Sequence, residues 1–476
     1  MYDESTQVCE EDFLFLDSRH DPEEEESSLS YVTAVEDLVE SEEERAQIEN
    51  DILQFIAEYF EENVIRMYSS NFHLEVVDAT MDAFSIAFGD EHYDVVYEWF
   101  EGLVEEYYSW GFFPQRSRET VNETTTNHRN NRDLTDHIEH LKRIPQPEQR
   151  TAEWFQFRQN VITASSVGKI FASEAQRNSL IYEKCKSRGG GGGESKDSHE
   201  NSTNFDSPLH WGQKYEPLSV MIYEHMYGTK VGTFGCIPHP TCKYLAASPD
   251  GINIDSQSTR FGRMLEIKNI VNRQITGIPL DAYWIQMQIQ MEVCDLDTCD
   301  FWETRFLEYP DSDAFWSAVD NDTNPKYLGI MLLFLDAKYQ EHRYEIMPID
   351  VSLDIDTVVT WMDDVQTRLR SNGGWRLYQT IYWYLEEYSC VLVDRNKMWF
   401  AHAKPVIEDT WATILRERIH GYEHRAPVKR SSSSDSCTVA RSKAALAQLF
   451  AVADEDRIVE AIQSDLSINE LIVDWL

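Results

Sequence analysis

An α/β fold is predicted for the middle of this 476-residue chain, and three observations predict it. Tyr244 to Ala247 and Leu265 to Lys268 read as strands separated by turn residues. Leu209 to Met226, and the run opening at Tyr283, carry apolar residues at helical spacing. Tyr327 to Leu335 is the longest apolar run; it fits a buried strand and falls short of the roughly 18 residues of a membrane span. The expected core is a mixed sheet flanked by helices, extended by strands at Tyr327 to Leu335 and Tyr344 to Ile349.

The first hundred residues hold 29 Asp and Glu against 3 Lys and Arg. Blocks such as Glu23 to Glu26 predict a solvated, disordered arm over 1–50. From 51 to 115 the pattern changes. Ile52, Phe55, Ile56, Tyr59 and Phe60, then Val95, Val96, Trp99, Leu103 and Tyr107, recur at helical spacing, so a small acidic helical domain is expected. Residues 116–149 are polar and end in Pro-Gln-Pro, which reads as a linker.

The globular core is expected over 150–350, interrupted at 187–207 by a flexible insertion with five consecutive glycines. Residues 351–425 are expected as a C-terminal extension of that core, mostly helical. Residues 426–439 read as a basic, Ser-rich linker, and 440–476 as a helical tail.

Composition excludes some classes of function. With 42% hydrophobic and 12% aromatic residues the chain is not wholly disordered. The sequence opens with neither a basic region nor an apolar stretch, so no secretory signal and no membrane association are expected. Eight cysteines without a CxxC pair suggest a reducing compartment, hence an intracellular protein of cytoplasm or nucleus. The net charge of -42 argues at first against a nucleic-acid partner. Counting by segment weakens that argument, because residues 151–300 hold 17 acids against 14 bases.

That near-neutral middle carries five ordered motifs. Trp154-x-x-x-Arg158 precedes Ile162-Thr163-Ala164-Ser165, where hydroxyls at a helix start beside an arginine make a phosphate site. Trp211-Gly212-x-x-Tyr215-Glu216 places an acid among apolar helical neighbours. Ser248-Pro249-Asp250-Gly251 holds an aspartate on a tight turn. In Leu265-Glu266-Ile267-Lys268 the acid and the lysine share one strand face while Leu265 and Ile267 point into the core. In the last motif Tyr283, Gln286 and Gln290 share a helix face, with Gln288 nearer the opposite side.

Each motif alone has an ordinary reading: a capped helix, a solvated carboxylate, a plain turn, a chance tripeptide, a polar stripe. Together they place Asp250 and Glu266 on neighbouring strands, with Glu216 approaching from a helix. Three hard oxygen ligands with Lys268 suit Mg²⁺ or Mn²⁺, and such a site hydrolyses phosphodiesters. A zinc site at Cys236, His239 and Cys242 is the competing idea, and it lacks a clear fourth ligand.

The ordered set resembles the PD-(D/E)xK nucleases of the lambda-exonuclease type, also described as YqaJ-like viral recombinases, over about 150–306. The resemblance implies a restriction-endonuclease-like core. It implies metal ligands at Glu216, Asp250, Glu266 and the Ile267 carbonyl, with two ions expected. Lys268 would be the catalytic lysine, and Gln286 would sit at the active site. Arg158, Ser165 and Ser248 would hold a 5′-phosphate, with Tyr283 on the DNA. Arg273 lies near a further arginine position of the family but is offset by one residue. The implied activity is 5′→3′ digestion of linear double-stranded DNA, leaving 3′ tails for recombination or repair.

The same site could serve an endonuclease, or a nuclease fold could act as a binding scaffold. Further partners expected are a single-strand annealing or replication protein and a second copy of the chain.

Overall fold

The computed structural model describes residues 35, 38–119, 131–147, 151–186, 208–320, 326–336, 341–371 and 373–427. Most of the expected arm, the Gly-rich insertion, most of the Ser-rich linker and the tail lie outside the described residues. Among the described residues no helix is long and apolar enough to cross a membrane.

Three helices come first: α1 (Glu42–Asn63), α2 (Phe72–Phe84) and α3 (Tyr93–Ser109). Ser41 caps α1 by accepting the Glu44 N–H at 3.2 Å, and Glu42, Glu43 and Glu44 complement the positive end of its dipole. Ile52, Ile56 and Phe60 form its buried stripe. The Phe60 ring meets Phe72 at 5.3 Å and Tyr107 at 5.0 Å, which joins the three helices.

This acidic region is not a separate body. Its apolar residues share one core with the helices beyond it. The Trp399 indole donates to the Ile65 carbonyl at 3.3 Å, and the Tyr68 hydroxyl donates to the Phe171 carbonyl at 3.0 Å.

The stretch read as a linker also contains structure. Strand β1 (Arg118–Glu119) is followed by helix α4 (Asn131–Arg143). Polar composition hides Leu134, Ile138 and Leu141, which recur at i, i+4 and i+7 and are all buried. Leu134 packs so closely on Gly262 (φ +82°) that a Cβ there would lie 2.4 Å from it.

The motif-bearing segment follows as α5 (Ala152–Gln159), β2 (Ile162–Thr163), α6 (Ala164–Ala172), α7 (Glu174–Cys185) and α8 (Pro208–Tyr227). Strands β3 (Val231–Gly232), β4 (Ile237–Pro238), β5 (Leu245–Ala247), β6 (Gly251–Asn253) and β7 (Met264–Asn269) lead to α9 (Asp281–Cys294). The remainder is β8 (Thr298–Glu308), α10 (Ser312–Val319), β9 (Leu328–Leu335), β10 (His342–Ile346), α11 (Ile355–Ser371), β11 (Arg376–Asp394) and α12 (Lys397–His420).

The main sheet runs β10-β9-β11-β8-β7-β6-β3, with β1 paired to β11; β2, β5 and β4 form a second, small sheet. Within the main sheet β7 and β8 are parallel and the other pairs antiparallel. The parallel pair needs a crossover, and α9 supplies it. The expected mixed α/β architecture is therefore observed.

One expectation is corrected. Residues 351–425 do not merely extend the core, because β11 lies between β9 and β8 in the middle of the sheet. Ile381, Trp383 and Leu385 alternate along β11 and bury one face in the apolar core.

Candidate active site

The hairpin of β6 and β7 brings the acids together. Gly251 pairs with Leu265, so Asp250 stands beside Glu266 at the adjoining step of the ladder. The Ile267 N–H donates to Asp250 Oδ2 at 2.7 Å. Leu265 and Ile267 are buried in an apolar cluster with Tyr215 and Trp302, on the face away from Glu266.

Glu266 has no exposed surface. A buried carboxyl group is costly unless donors surround it, and here there are three. Lys268 Nζ and Gln286 Nε2 (2.7 Å) donate to Oε1, and Gln290 Nε2 (2.7 Å) donates to Oε2. Gln286 and Gln290 are i and i+4 on α9, which lays both amides over β7. Gln288 points elsewhere, donating to the Asp394 carbonyl at 3.0 Å and accepting from Asn396 N–H at 2.7 Å.

The Lys268 ammonium also lies over the Tyr283 ring at 4.7 Å, and the Arg273 guanidinium stands 5.8 Å from the same ring. Arg273 pairs with Glu303, which is buried opposite Lys268 across the β7–β8 ladder. Sequence spacing missed Glu303, because it enters through strand pairing alone. Glu216 is exposed on α8, between buried Tyr215 and Leu218. Beneath it the Ser219 hydroxyl donates to Asn269 Oδ1 at 2.6 Å, tying α8 to β7.

Electrostatics follow from this crowding. Burial, then the neighbouring Glu266, pushes the Asp250 carboxyl well above the usual carboxylate range; Glu216 adds to the push, and Lys268 and the Ile267 N–H oppose it. Burial alone would lower Lys268, but the Glu266 and Asp250 carboxylates outweigh it and the net shift is upward. Burial raises Glu303, with Arg273 and Lys268 opposing.

Among the described residues no three His, Cys, Asp or Glu side chains are gathered closely enough to hold a metal ion as they stand. The donor chemistry nevertheless fits a hard divalent cation. Asp250, Glu266 and Glu216 offer only oxygen, and the burial and repulsion that lift Asp250 are what such a cation would offset.

A second cluster lies beside Ser248, whose carbonyl accepts from Gln290 at 3.3 Å. The Arg158 guanidinium sits 4.6 Å from the Trp154 ring centre and 3.5 Å from Thr163 Oγ1. Thr163 Oγ1 meets Ser165 Oγ at 3.4 Å and Ser166 Oγ at 3.0 Å. Burial raises the Cys236 thiol, and the neighbouring Ser248, Arg158 and Lys184 oppose the shift. The structure thus draws Arg158 and Ser248 together, with Ser165 at the exposed rim. His239 serves its own turn, its Nδ1 accepting from the N–H groups of Thr241 (3.1 Å) and Cys242 (3.0 Å).

A curated relative, an uncharacterized protein of Acanthamoeba polyphaga mimivirus, is 28% identical over 317 residues, 59% of this chain and 55% of that protein. The chain thus spans about half the length of the curated relative it matches. Among solved structures, an alkaline exonuclease from Laribacter hongkongensis is 19% identical, covering 58% of this chain and 98% of its own, with a TM-score of 0.33. Its complex with dAMP gives the same coverage and identity and a TM-score of 0.32. Residues 153–297, which contain every motif residue from Trp154 to Gln290, match the family described as the YqaJ-like viral recombinase domain.

Proposed function

We propose that the chain is a metal-dependent deoxyribonuclease that digests linear double-stranded DNA from its 5′ ends and leaves 3′ single-stranded tails. The observation that carries this reading is the single face of β7 on which Glu266 and Lys268 stand together, beside Asp250 and under Gln286 and Gln290. The YqaJ-like domain over residues 153–297 supports it.

Asp250, Glu266 and Glu216 would hold Mg²⁺ or Mn²⁺, with the Ile267 carbonyl as a further oxygen. When bound, the ion supplies Lewis-acid chemistry at the scissile phosphate. The chain's own groups do the rest. Gln286 and Gln290 fix the Glu266 rotamer, so that carboxylate is preorganised. Lys268 stays protonated well past neutral pH and places a positive charge where the phosphate gains negative charge. Arg158, Ser165 and Ser248 would seat the terminal phosphate, and Tyr283 would contact the DNA.

The test is digestion of linear duplex labelled at the 5′ or the 3′ end, with and without Mg²⁺. Early release of the 5′ label is expected. Glu266→Ala and Lys268→Ala should each lower the rate by at least about a thousandfold, the scale of losing a preorganised electrostatic group. Full activity in both variants would overturn the site assignment. Rapid cutting of a closed circle would favour an endonuclease.

A further inference from the structure

Helix α9 carries Tyr283, Gln286 and Gln290, yet it opens without the usual device for holding a helix start. Leu280, at its N-cap, has no side-chain oxygen with which to accept the first N–H groups. An uncapped first turn frays easily. Fraying here would shift Tyr283, the third residue of the helix, and with it Gln286 one turn later.

The start is held from outside, by the segment that ends the N-terminal helical region. Arg116 donates twice to the Pro279 carbonyl, from Nη2 at 2.7 Å and Nε at 3.1 Å, and Nη2 also meets Asp281 Oδ1 at 3.0 Å. Its Nη1 donates to the Tyr68 carbonyl, and the Ser70 N–H donates to the same Asp281 oxygen at 2.8 Å. The Trp284 indole donates to the Arg116 carbonyl at 3.2 Å, with its ring 5.8 Å from the guanidinium. From α6 a Cβ at Gly168 would lie 3.2 Å from Ala282 Cα, so the same turn is pressed from a second element.

The Arg116 side chain is 15% exposed, and its planar fork bonds to three points at once, which a single ammonium cannot reproduce. Asp281 is 44% exposed, so the ion pair itself contributes little to stability. What the arginine supplies is direction: the carbonyl before α9 and the carboxylate of its first residue are fixed to the carbonyl of Tyr68.

We propose that Arg116 is a positioning residue of the active site, which pins the first turn of α9 and so fixes Gln286 and Gln290 over Glu266. This rests on the reading of the chain as a DNA nuclease. Both amides reach Glu266 at 2.7 Å, so a slip of α9 loosens two bonds together. Arg116 lies outside residues 153–297, so the acidic helical region contributes to the site a part that the five motifs do not contain.

The experiment measures digestion of linear duplex DNA in Mg²⁺ by the full chain and by Arg116→Met, Arg116→Lys and Phe100→Leu. The last opens the core beside Phe84 and Phe88, away from α9. Arg116→Met should lower kcat by about a hundredfold, the scale of a misplacement of about 1 Å, with KM for DNA unchanged. Arg116→Lys should recover part of that loss. Phe100→Leu should melt earlier and keep the parental kcat. Hydrogen–deuterium exchange should quicken over residues 281–290 in Arg116→Met and not in Phe100→Leu. A parental kcat in folded Arg116→Met, or an equal fall in Phe100→Leu, overturns the proposal. If circular dichroism shows Arg116→Met unfolded, Arg116→Lys decides, and a parental kcat there overturns it. A parent that digests no DNA sinks the nuclease reading; faster exchange confined to 281–290 would still show that Arg116 pins α9.

Discussion

Lys184 is held by burial, then by Arg158, at a pKa lowered to about 8. Glu183 and Cys236 pull it upward, and Arg418 pushes it further down. The charged form is the disfavoured one in the folded chain. The fold therefore carries the whole cost below about pH 8 and is relieved as pH rises toward about 10.4, the ordinary lysine value. Between pH 7 and pH 10 the melting temperature of the parent should gain on that of Lys184→Met; a constant gap would show that the lysine titrates normally. At the scale of residues the meeting of Asp250, Glu266 and Gln286 was legible in sequence, because the two acids belong to one hairpin and Gln286 to one helix face. Glu303 was not, since it meets Arg273 only after β8 has chosen β7 as its neighbour. Nor were Lys184 and Arg418, which join Arg158 from helices far apart in sequence.

Among elements, β11 was the hardest to read. Its alternation is broken by register shifts between Leu377 and Gln379 and between Leu385 and Glu387, so no single period spans its 19 residues. Glu386 and Glu387, at the second shift, make a central strand look like a surface segment. Helix α4 was missed for the opposite reason: three apolar residues suffice to dock it, too few to alter the composition of a polar stretch. By contrast the Leu209 to Met226 pattern predicted α8 to within a residue at each end. A chain ending at residue 350 lacks β11 and leaves the edges of β8 and β9 unpaired. It should show no cooperative melting transition, whereas a sharp one would mean that the sheet closes without its middle strand.

For the whole molecule, the docked α1 to α3 change what can be asked of the acidic region. Removing residues 1–115 would strip helices that share the main core, so the loss of fold would mask any effect on DNA. Removing residues 1–34 takes away eleven acids and one base without touching α1. If the arm competes with DNA electrostatically, its removal should raise affinity at 50 mM salt by roughly tenfold and leave it unchanged near 0.5 M. Equal affinity of the full and the shortened chain at both salt concentrations would make the arm a solvating tail.

The place of β11 in the sheet also sets an order of events during synthesis. Asp250 and Glu266 leave the ribosome more than a hundred residues before Asp394, yet β8, which flanks their hairpin, lacks its second neighbour until β11 emerges. At about 5–20 residues per second the acids wait roughly 6 to 26 seconds for the strand that completes the sheet. The hairpin that carries Asp250 and Glu266 is thus made long before the middle strand that closes the sheet around β8.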